Sequence, residues 1–522
     1  MLFRSQAIHQ NRIGSCAGGW PTVMVATTLA ELVANPYAAK SYLVILKPYD
    51  PGTTSTVTVY LSDRGYVSGP SETPASTYFE PRVIEALNFE RAMFTSSKLG
   101  GESKPSFGAI ELANADGGLD AFAGYAWDNR EVEVKIGEKG ANVSQHFTIF
   151  KGQSKSVDFD DLTLRVVIRD GQDKFTRTFP PNTYAGTGGN EGSAIMEGVA
   201  KPICLGEVFN ITPILVDDTT ATAKVYQVHD GQIESIVAVY ENGVATTNFT
   251  ADLTNGRFTM TAAVTGNLTC DVKGAKPSGT YKETAADIIR FLAAEYGGLT
   301  DPDDFDTASF SGLNTANSAP VGAYIPTRSN ILNALDIIAN TVGAFYGFDR
   351  SGKLNVGQVA APSGTADLEL DSTNIIELER LPTEIPTSTV VVKYKKNHTV
   401  FDEDALDSGA SDPDFFQREG ASVVATDAAV AAIYPNAKFL ELDSAFAASA
   451  GASAEATRLL NLYKVQRDIY RIRCKAQPFT LKLGDIVKVT FSRYSLNSGK
   501  LFSVVSLFED AAVNEVELEL WG

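Results

Sequence analysis

Apolar and polar positions along this chain follow a period of two over most of its length, and a helical period over a shorter middle stretch. From Ser41 the two-residue period of half-buried strands runs through Tyr42 to Leu46, Thr56 to Leu61, Arg82 to Met93 and Phe107 to Leu112. Further on, Val132, Val134 and Ile136 alternate with Glu131, Glu133 and Lys135, and Leu162, Leu164, Val166 and Ile168 share one face. The turn Tyr49-Asp50-Pro51-Gly52 and the Ser-, Pro- and Thr-rich loop Ser68 to Tyr78 separate these strands. Strands resume at Val208 to Leu215, Ala223 to Val228, Ser235 to Val239, Arg257 to Thr261 and Leu268 to Val272. Between them lie Asp230-Gly231, Asn242-Gly243 and Asn255-Gly256, and Asn-Gly is a strong hairpin signal.

At Tyr281 the period becomes helical. Thr284 with Asp287 makes a capping pair, Ile288, Ile289, Phe291 and Leu292 form an apolar face, and Gly297-Gly298 ends the helix. A second helix begins near Ser329, carries Ile331, Leu332, Leu335, Ile338 and Val342, and stops at Gly343. A hairpin follows directly: Ala344 to Phe348, the turn Asp349-Arg350-Ser351-Gly352, then Lys353 to Val356. Val390 to Lys395 is a strand, Ser453 to Tyr463 a helix, and Ile469 to Ala476 a strand. The chain closes on a three-stranded meander in which Val516, Leu518 and Leu520 point inward and Glu515, Glu517 and Glu519 outward.

These shifts predict a mainly β (α+β), multidomain chain. The expected divisions are a lead-in over residues 1–40 with one short helix, a β domain over 41–180, and an all-β module over 181–280. An α/β helix-hairpin module covers 281–362, and a second β domain covers 363–522, with an acidic, solvated loop at 401–419. A chain of 522 residues is too long for one core, and roughly three or four domains fit that length.

Charge narrows the function. A net charge of −19 repels polyphosphate and anionic lipid, which argues against nucleic-acid or membrane-surface binding. No run of eighteen apolar residues is present, so no membrane span is expected. Gln6, His9, Gln10, Asn11 and Arg12 interrupt any apolar core of a signal peptide. Cys16, Cys204, Cys270 and Cys474 lack zinc or redox spacing and read as buried small hydrophobes of a protein matured in a reducing cytosol. The five glycosylation sequons, at Asn142, Asn210, Asn248, Asn267 and Asn397, then read as chance.

The search for chemistry predicts no catalytic, cofactor-binding or metal residues. There is no Gly-x-Ser-x-Gly elbow, and His9, His146, His229 and His398 are solitary. Asn114, Asp116 and Asp120 lack the even ladder and distal Glu of a calcium loop and read as a structural turn. Gly186 to Gly192 has no Lys-Ser/Thr after it and reads as a flexible linker. Asp301, Asp303, Asp304 and Asp306 are interrupted by Phe305 and read as loop or turn caps. Paired carboxylates of a glycoside hydrolase are recognised only by their separation in space, so that alternative stays open.

Four stretches share wording with one family: "FGAIEL" with Asn114, Asp116-Gly117-Gly118-Leu119-Asp120 and "NREVEV"; "ILNALDIIANTVGAFYGFDRSGKLNVGQ"; "TVVVKYKKN"; and the closing "LKLGDIVKV" with "YSLNSGKLFSVV". Across residues 106–137, 329–362, 389–397 and 453–522 the chain resembles the tail hub proteins (baseplate or tail-tip hubs) of long-tailed, siphophage-like bacteriophages. The resemblance implies two tube-like β-barrels per subunit beside the β and α/β modules. It implies a non-enzymatic virion protein at the distal end of the tail, made in the host bacterial cytoplasm and working as a homotrimer. The implied partners are the distal tail protein, the tape measure protein and the central tail-tip or fibre proteins, with DNA passing through the channel unbound. The alternatives are a β-rich carbohydrate-binding or adhesin protein and, less favoured, a glycoside hydrolase.

Overall fold

Alternation builds the largest element. Strand Arg130–Glu138 buries Val132, Val134 and Ile136 and turns Glu131, Glu133 and Lys135 outward, so it can sit in a sheet with one dry and one wet face. In the computed structural model, which describes residues 26–35, 37–95 and 103–522, this strand belongs to a fifteen-stranded sheet. Most of the expected lead-in, with His9 and Cys16, lies outside the described residues.

The closing meander forms as its pattern requires: Ile486–Val489, Lys500–Asp510 and Glu515–Trp521 pair antiparallel in succession. Lys500–Asp510 also pairs with Val83–Ala92, Phe508 opposite Glu90. That junction welds the C-terminal strands to the N-terminal ones. The chain is mainly β with helices in its middle part, as expected, but the barrels are not closed. The sheet stays open, ending at Ile375–Leu381 on one side and at Tyr66–Val67 on the other, with Leu368–Leu370 branching off through Ile486–Val489.

Two apolar clusters cover the dry face. One gathers Val44, Leu112, Val134, Ile149 and Ile168; the other Tyr470, Val487, Phe502, Leu518 and Leu520. The short helix Leu29–Ala34, capped by Thr28, spans them, with Leu32 in the first cluster and Val33 in the second.

The segment from Ile203 to Ile325 supplies a five-stranded and a four-stranded sheet. The Asn242-Gly243 turn joins Ile233–Glu241 to Val244–Thr246 with φ of +46° and +81°, the left-handed pair that a two-residue hairpin needs. Helices Ala285–Glu295 and Ile331–Thr341 pack on each other. Thr284 Oγ1 accepts from Asp287 N at 3.3 Å, and Asn330 Oδ1 accepts from Asn333 N at 2.8 Å. Ile331, Leu335, Ile338 and Val342 all enter the largest cluster, and each such side chain contributes about 1.5–3 kcal/mol of burial.

Three readings need correction or addition. Helix Thr307–Ala316 went unread because Ser, Thr, Gly and Asn dominate it; Asp306 caps it and only Phe310 and Leu313 are buried. The Val390 strand, Thr387–Tyr394, joins Ala421–Thr426 and Lys438–Asp443 in a separate three-stranded sheet backed by helix Ser449–Tyr463. The acidic stretch 401–419 is a strap rather than a free loop. Phe401 and Phe416 are buried, Asp407 N donates to Asn242 O at 3.0 Å and Ser411 N to Gly243 O at 2.9 Å. Its aromatics dock on the β module while its carboxylates stay in water.

Candidate functional site

The wet face of the large sheet is the most extensive polar surface that the topology builds. Strand registers trace one row across nine strands: Glu377, Arg473, Glu517, Phe508, Glu90, Phe107, Arg169, Gln153 and Glu131. A second row runs Glu379, Arg471, Glu519, Ser506 and Ala92. Neighbouring positions add Glu515 beside Asp510, and Glu111, Arg165 and Asp158 in a line.

Ion pairs knit this face. Arg473 reaches Glu377 at 3.3 Å and Glu515 at 3.2 Å, and Arg471 reaches Glu517 at 3.4 Å and Glu379 at 3.5 Å. Lys104 meets Glu90 at 2.5 Å. At the C-terminal end four glutamates, at 377, 379, 515 and 517, share the two arginines, and Glu519 stands opposite Arg471 in the register. Exposed pairs of this kind are worth about 0–1 kcal/mol each. Their effect is on the surface potential, which stays negative.

Beneath that face lies a charged junction that the sequence reading missed. Glu509 is fully buried and binds Arg91 through Oε2 and Arg350 through Oε1, with Arg350 Nε at 2.9 Å. Arg350 Nη1 also donates to Leu481 O. Glu509 comes from the closing meander, Arg91 from the N-terminal strands and Arg350 from the hairpin turn after the second helix, so one carboxylate ties three parts of the chain. The available signal was a glutamate two residues beyond Leu507, on the register that points inward. Close by, Asp170 is buried with Oδ1 accepting from Gln172 N at 3.0 Å, and burial raises its pKa to about 6.

Most acidic groups singled out in the sequence have a structural task. Asp116 is clamped by Arg82 at 2.8 and 2.9 Å and accepts from Gly118 N, and this holds its pKa well below the usual carboxylate range. Asn114 Nδ2 donates to Asp120 Oδ1 at 2.9 Å, closing the same turn. Asp301 pairs with Arg290, Asp304 accepts from Thr300 N, and Asp306 caps its helix while meeting Asn355 at 2.8 Å. Gly186 to Gly192 is folded on itself, with Gly188 N donating to Gly192 O at 2.7 Å and Glu191 bound to Lys201 at 2.8 Å. Four of its seven amides donate within the loop, and the expected flexible linker is a hydrogen-bonded loop.

The three histidines among the described residues are built into the packing. His229 Nδ1 accepts from Cys204 N at 3.0 Å, and burial lowers its pKa to about 4; burial does the same to His398. His146 Nε2 lies 3.3 Å from Ser41 Oγ and Nδ1 lies 2.9 Å from Asn142 O, the outline of a nucleophile–base pair. The ring is only 5% exposed, sits edge-on to Tyr66, and fills the space over Gly137, where a Cβ would stand 2.4 Å from it. Among the described residues no cluster of three or more His, Cys, Asp or Glu could hold a metal ion, and no helix is long and apolar enough to cross a membrane.

No family model matches the sequence, and no curated protein matches it. Solved structures with a similar course are a tail protein from Neisseria meningitidis MC58, the 43 kDa tail protein of prophage MuSo2 from Shewanella oneidensis, and the prophage tail protein gp18 from Listeria monocytogenes EGD-e. The first is 11% identical, with 92% of this chain and 96% of that chain covered and a TM-score of 0.43. The corresponding values are 10%, 92%, 98% and 0.38 for the second, and 9%, 92%, 94% and 0.40 for the third.

Proposed function

We propose that this chain is a structural subunit of a bacteriophage tail, a hub at the distal end of the tail tube, with the wet face of its large sheet turned to the channel through which DNA leaves. The observation that carries the reading is that face: a row traced across nine strands carries four glutamates and two arginines, with Phe508, Phe107 and Gln153 between them. A surface that DNA slides past must not hold it. Carboxylates repel phosphates within about 10 Å at moderate salt, whereas a basic wall would bind the polyanion.

The open sheet supports assembly. Its end strands Ile375–Leu381 and Tyr66–Val67 each have a free edge among the described residues, and a free edge invites pairing with another chain. Three copies arranged head to tail would continue the sheet around a closed ring. The motifs that resemble tail hubs are consistent with this arrangement, and so is the structural use of Asp116, Asp301, Asp304 and Asp306 and of His146, His229 and His398. The subunit has no turnover of its own in this reading. Its partners are the distal tail protein, the tape measure protein and the tail-tip or fibre proteins.

A reconstruction of the tail tip in purified particles tests it. Three copies of the chain around a channel lined by Glu377, Glu515 and Glu517 are expected. One copy, six copies, or a wall formed chiefly by Lys and Arg would overturn the proposal.

A further inference from the structure

Among the described residues, strand Lys438–Asp443 is paired on one side only, in parallel with Thr387–Tyr394. Lys438 N donates to Pro386 O at 2.9 Å, toward that neighbour. Successive amides of a strand alternate in direction, so the N–H and C=O groups of Phe439, Glu441 and Asp443 point away from it. Natural edge strands are blunted by charged side chains, proline, bulges or a cover of loop; Lys438, Glu441 and Asp443 are charged here but already engaged in ion pairs. The run Lys-Phe-Leu-Glu-Leu-Asp has no proline, and its residues pair without a bulge of their own; the one irregularity in that ladder falls between Thr387 and Thr389.

All six residues of the strand line a cleft of about 490 Å³. Its other walls include Ile385, Leu459, Val465, Ile469 and Trp521. At the rim Phe439 is 61% exposed and Val465 53% exposed, large apolar groups left beside unpaired backbone. Charge selects what can lie there. Lys393 Nζ meets both Glu441 Oε1 at 2.8 Å and Asp443 Oδ1 at 2.9 Å, so two carboxylates share one ammonium and a negative charge is left over. Lys438 is taken by Glu384.

We propose that this edge is a docking site for an extended segment of a partner protein, which adds a strand beside Lys438–Asp443. Its alternate side chains are apolar and enter the cleft, and a lysine or arginine between them answers Glu441 and Asp443. Backbone bonds to Phe439, Glu441 and Asp443 supply the register, and the cleft and carboxylates supply the selectivity. This site is separate from the charged face of the large sheet and does not depend on its role.

The probe is a blocked seven-residue peptide of alternating valine and lysine, with a control in which glutamate replaces lysine. Saturable binding of the lysine peptide is expected, with hydrogen exchange over residues 438–443 slowed about tenfold and with no binding of the glutamate peptide. Glu441→Pro removes an outward donor and leaves the bonds to Thr387–Tyr394 in place, so it should weaken binding about tenfold or more without moving the melting temperature. Should that variant unfold, the double reversal Glu441→Lys with Asp443→Lys must switch preference to the glutamate peptide. Equal binding of both peptides would overturn the proposal, as would binding that leaves exchange at 438–443 unchanged. Exchange that slows with protein concentration alone would assign the edge to a second copy of this chain and overturn it equally.

Discussion

Glu509 is the residue on which the described chain is most concentrated. It is sealed from water and shared by two guanidinium groups, and removing one partner of such a buried set leaves uncompensated charge. Glu509→Gln keeps the shape and leaves two cations facing a neutral amide, so stability should fall by about 3–5 kcal/mol; an unchanged urea midpoint would refute the network. His229 gives a pH signature. Its folded pKa near 4 lies below the ordinary 6.5. Below pH 6.5 the unfolded chain takes up a proton that the folded chain refuses, and stability falls until about pH 4, by on the order of 3 kcal/mol. His398 acts with the same sign. Asp170 opposes them: its folded pKa, raised to about 6, makes the folded chain bind the proton first and gain stability as pH falls through 6. Buried His146 adds a further loss, and Asp271 and Asp485, whose pKa values burial raises, add further gains, so the contributions of single groups are read by substitution between pH 6.5 and 4.5. In urea titrations across that range, His229→Asn should flatten the slope and Asp170→Asn should steepen it.

At the scale of elements, the second helix is a prop for the hairpin that carries Arg350. Leu335 is fully buried in the largest cluster, so Leu335→Asp buries a charge without a partner and should cost several kcal/mol, on the order of 3–5. Thermal unfolding followed by circular dichroism checks it, and a wild-type melting temperature would show that this face does not pack. The helix was legible because five apolar residues, Ile331, Leu332, Leu335, Ile338 and Val342, recur at helical spacing between Ser329 and a stop at Gly343. Thr307–Ala316 was not, since tertiary contacts of Phe310 and Leu313 hold a segment whose own propensity is poor. The strap at 401–419 was misread for a related reason. Its acid content masked the aromatics, and only the fold shows that Asn397 Nδ2 donates to the carbonyls of Phe415, Phe416 and Arg418 at 2.8–3.1 Å.

For the whole molecule, the charge of the wet face should matter in the assembled tail and hardly at all in the free subunit. Replacing Glu515, Glu517 and Glu519 together by lysine breaks exposed pairs worth about 0–1 kcal/mol each, so the melting temperature should move by only a few degrees. Particles assembled with that variant should release DNA more slowly, and added salt should restore the rate by screening the new attraction. Release at the wild-type rate would count against a channel-facing surface.

Period-two alternation told each strand which side chains to bury, and so Val516, Leu518 and Leu520 could be assigned to a core and Glu515, Glu517 and Glu519 to water from the sequence alone. Turn chemistry at Asn242-Gly243 and caps at Thr284 were equally local, and equally readable. Which strands become neighbours is not local. That Lys500–Asp510 pairs with Val83–Ala92, more than four hundred residues away, depends on how the intervening modules return the chain, and no period records it. The open sheet, the charged rows that cross it and the Arg91–Glu509–Arg350 junction all follow from that one pairing, and only the tertiary structure decided them.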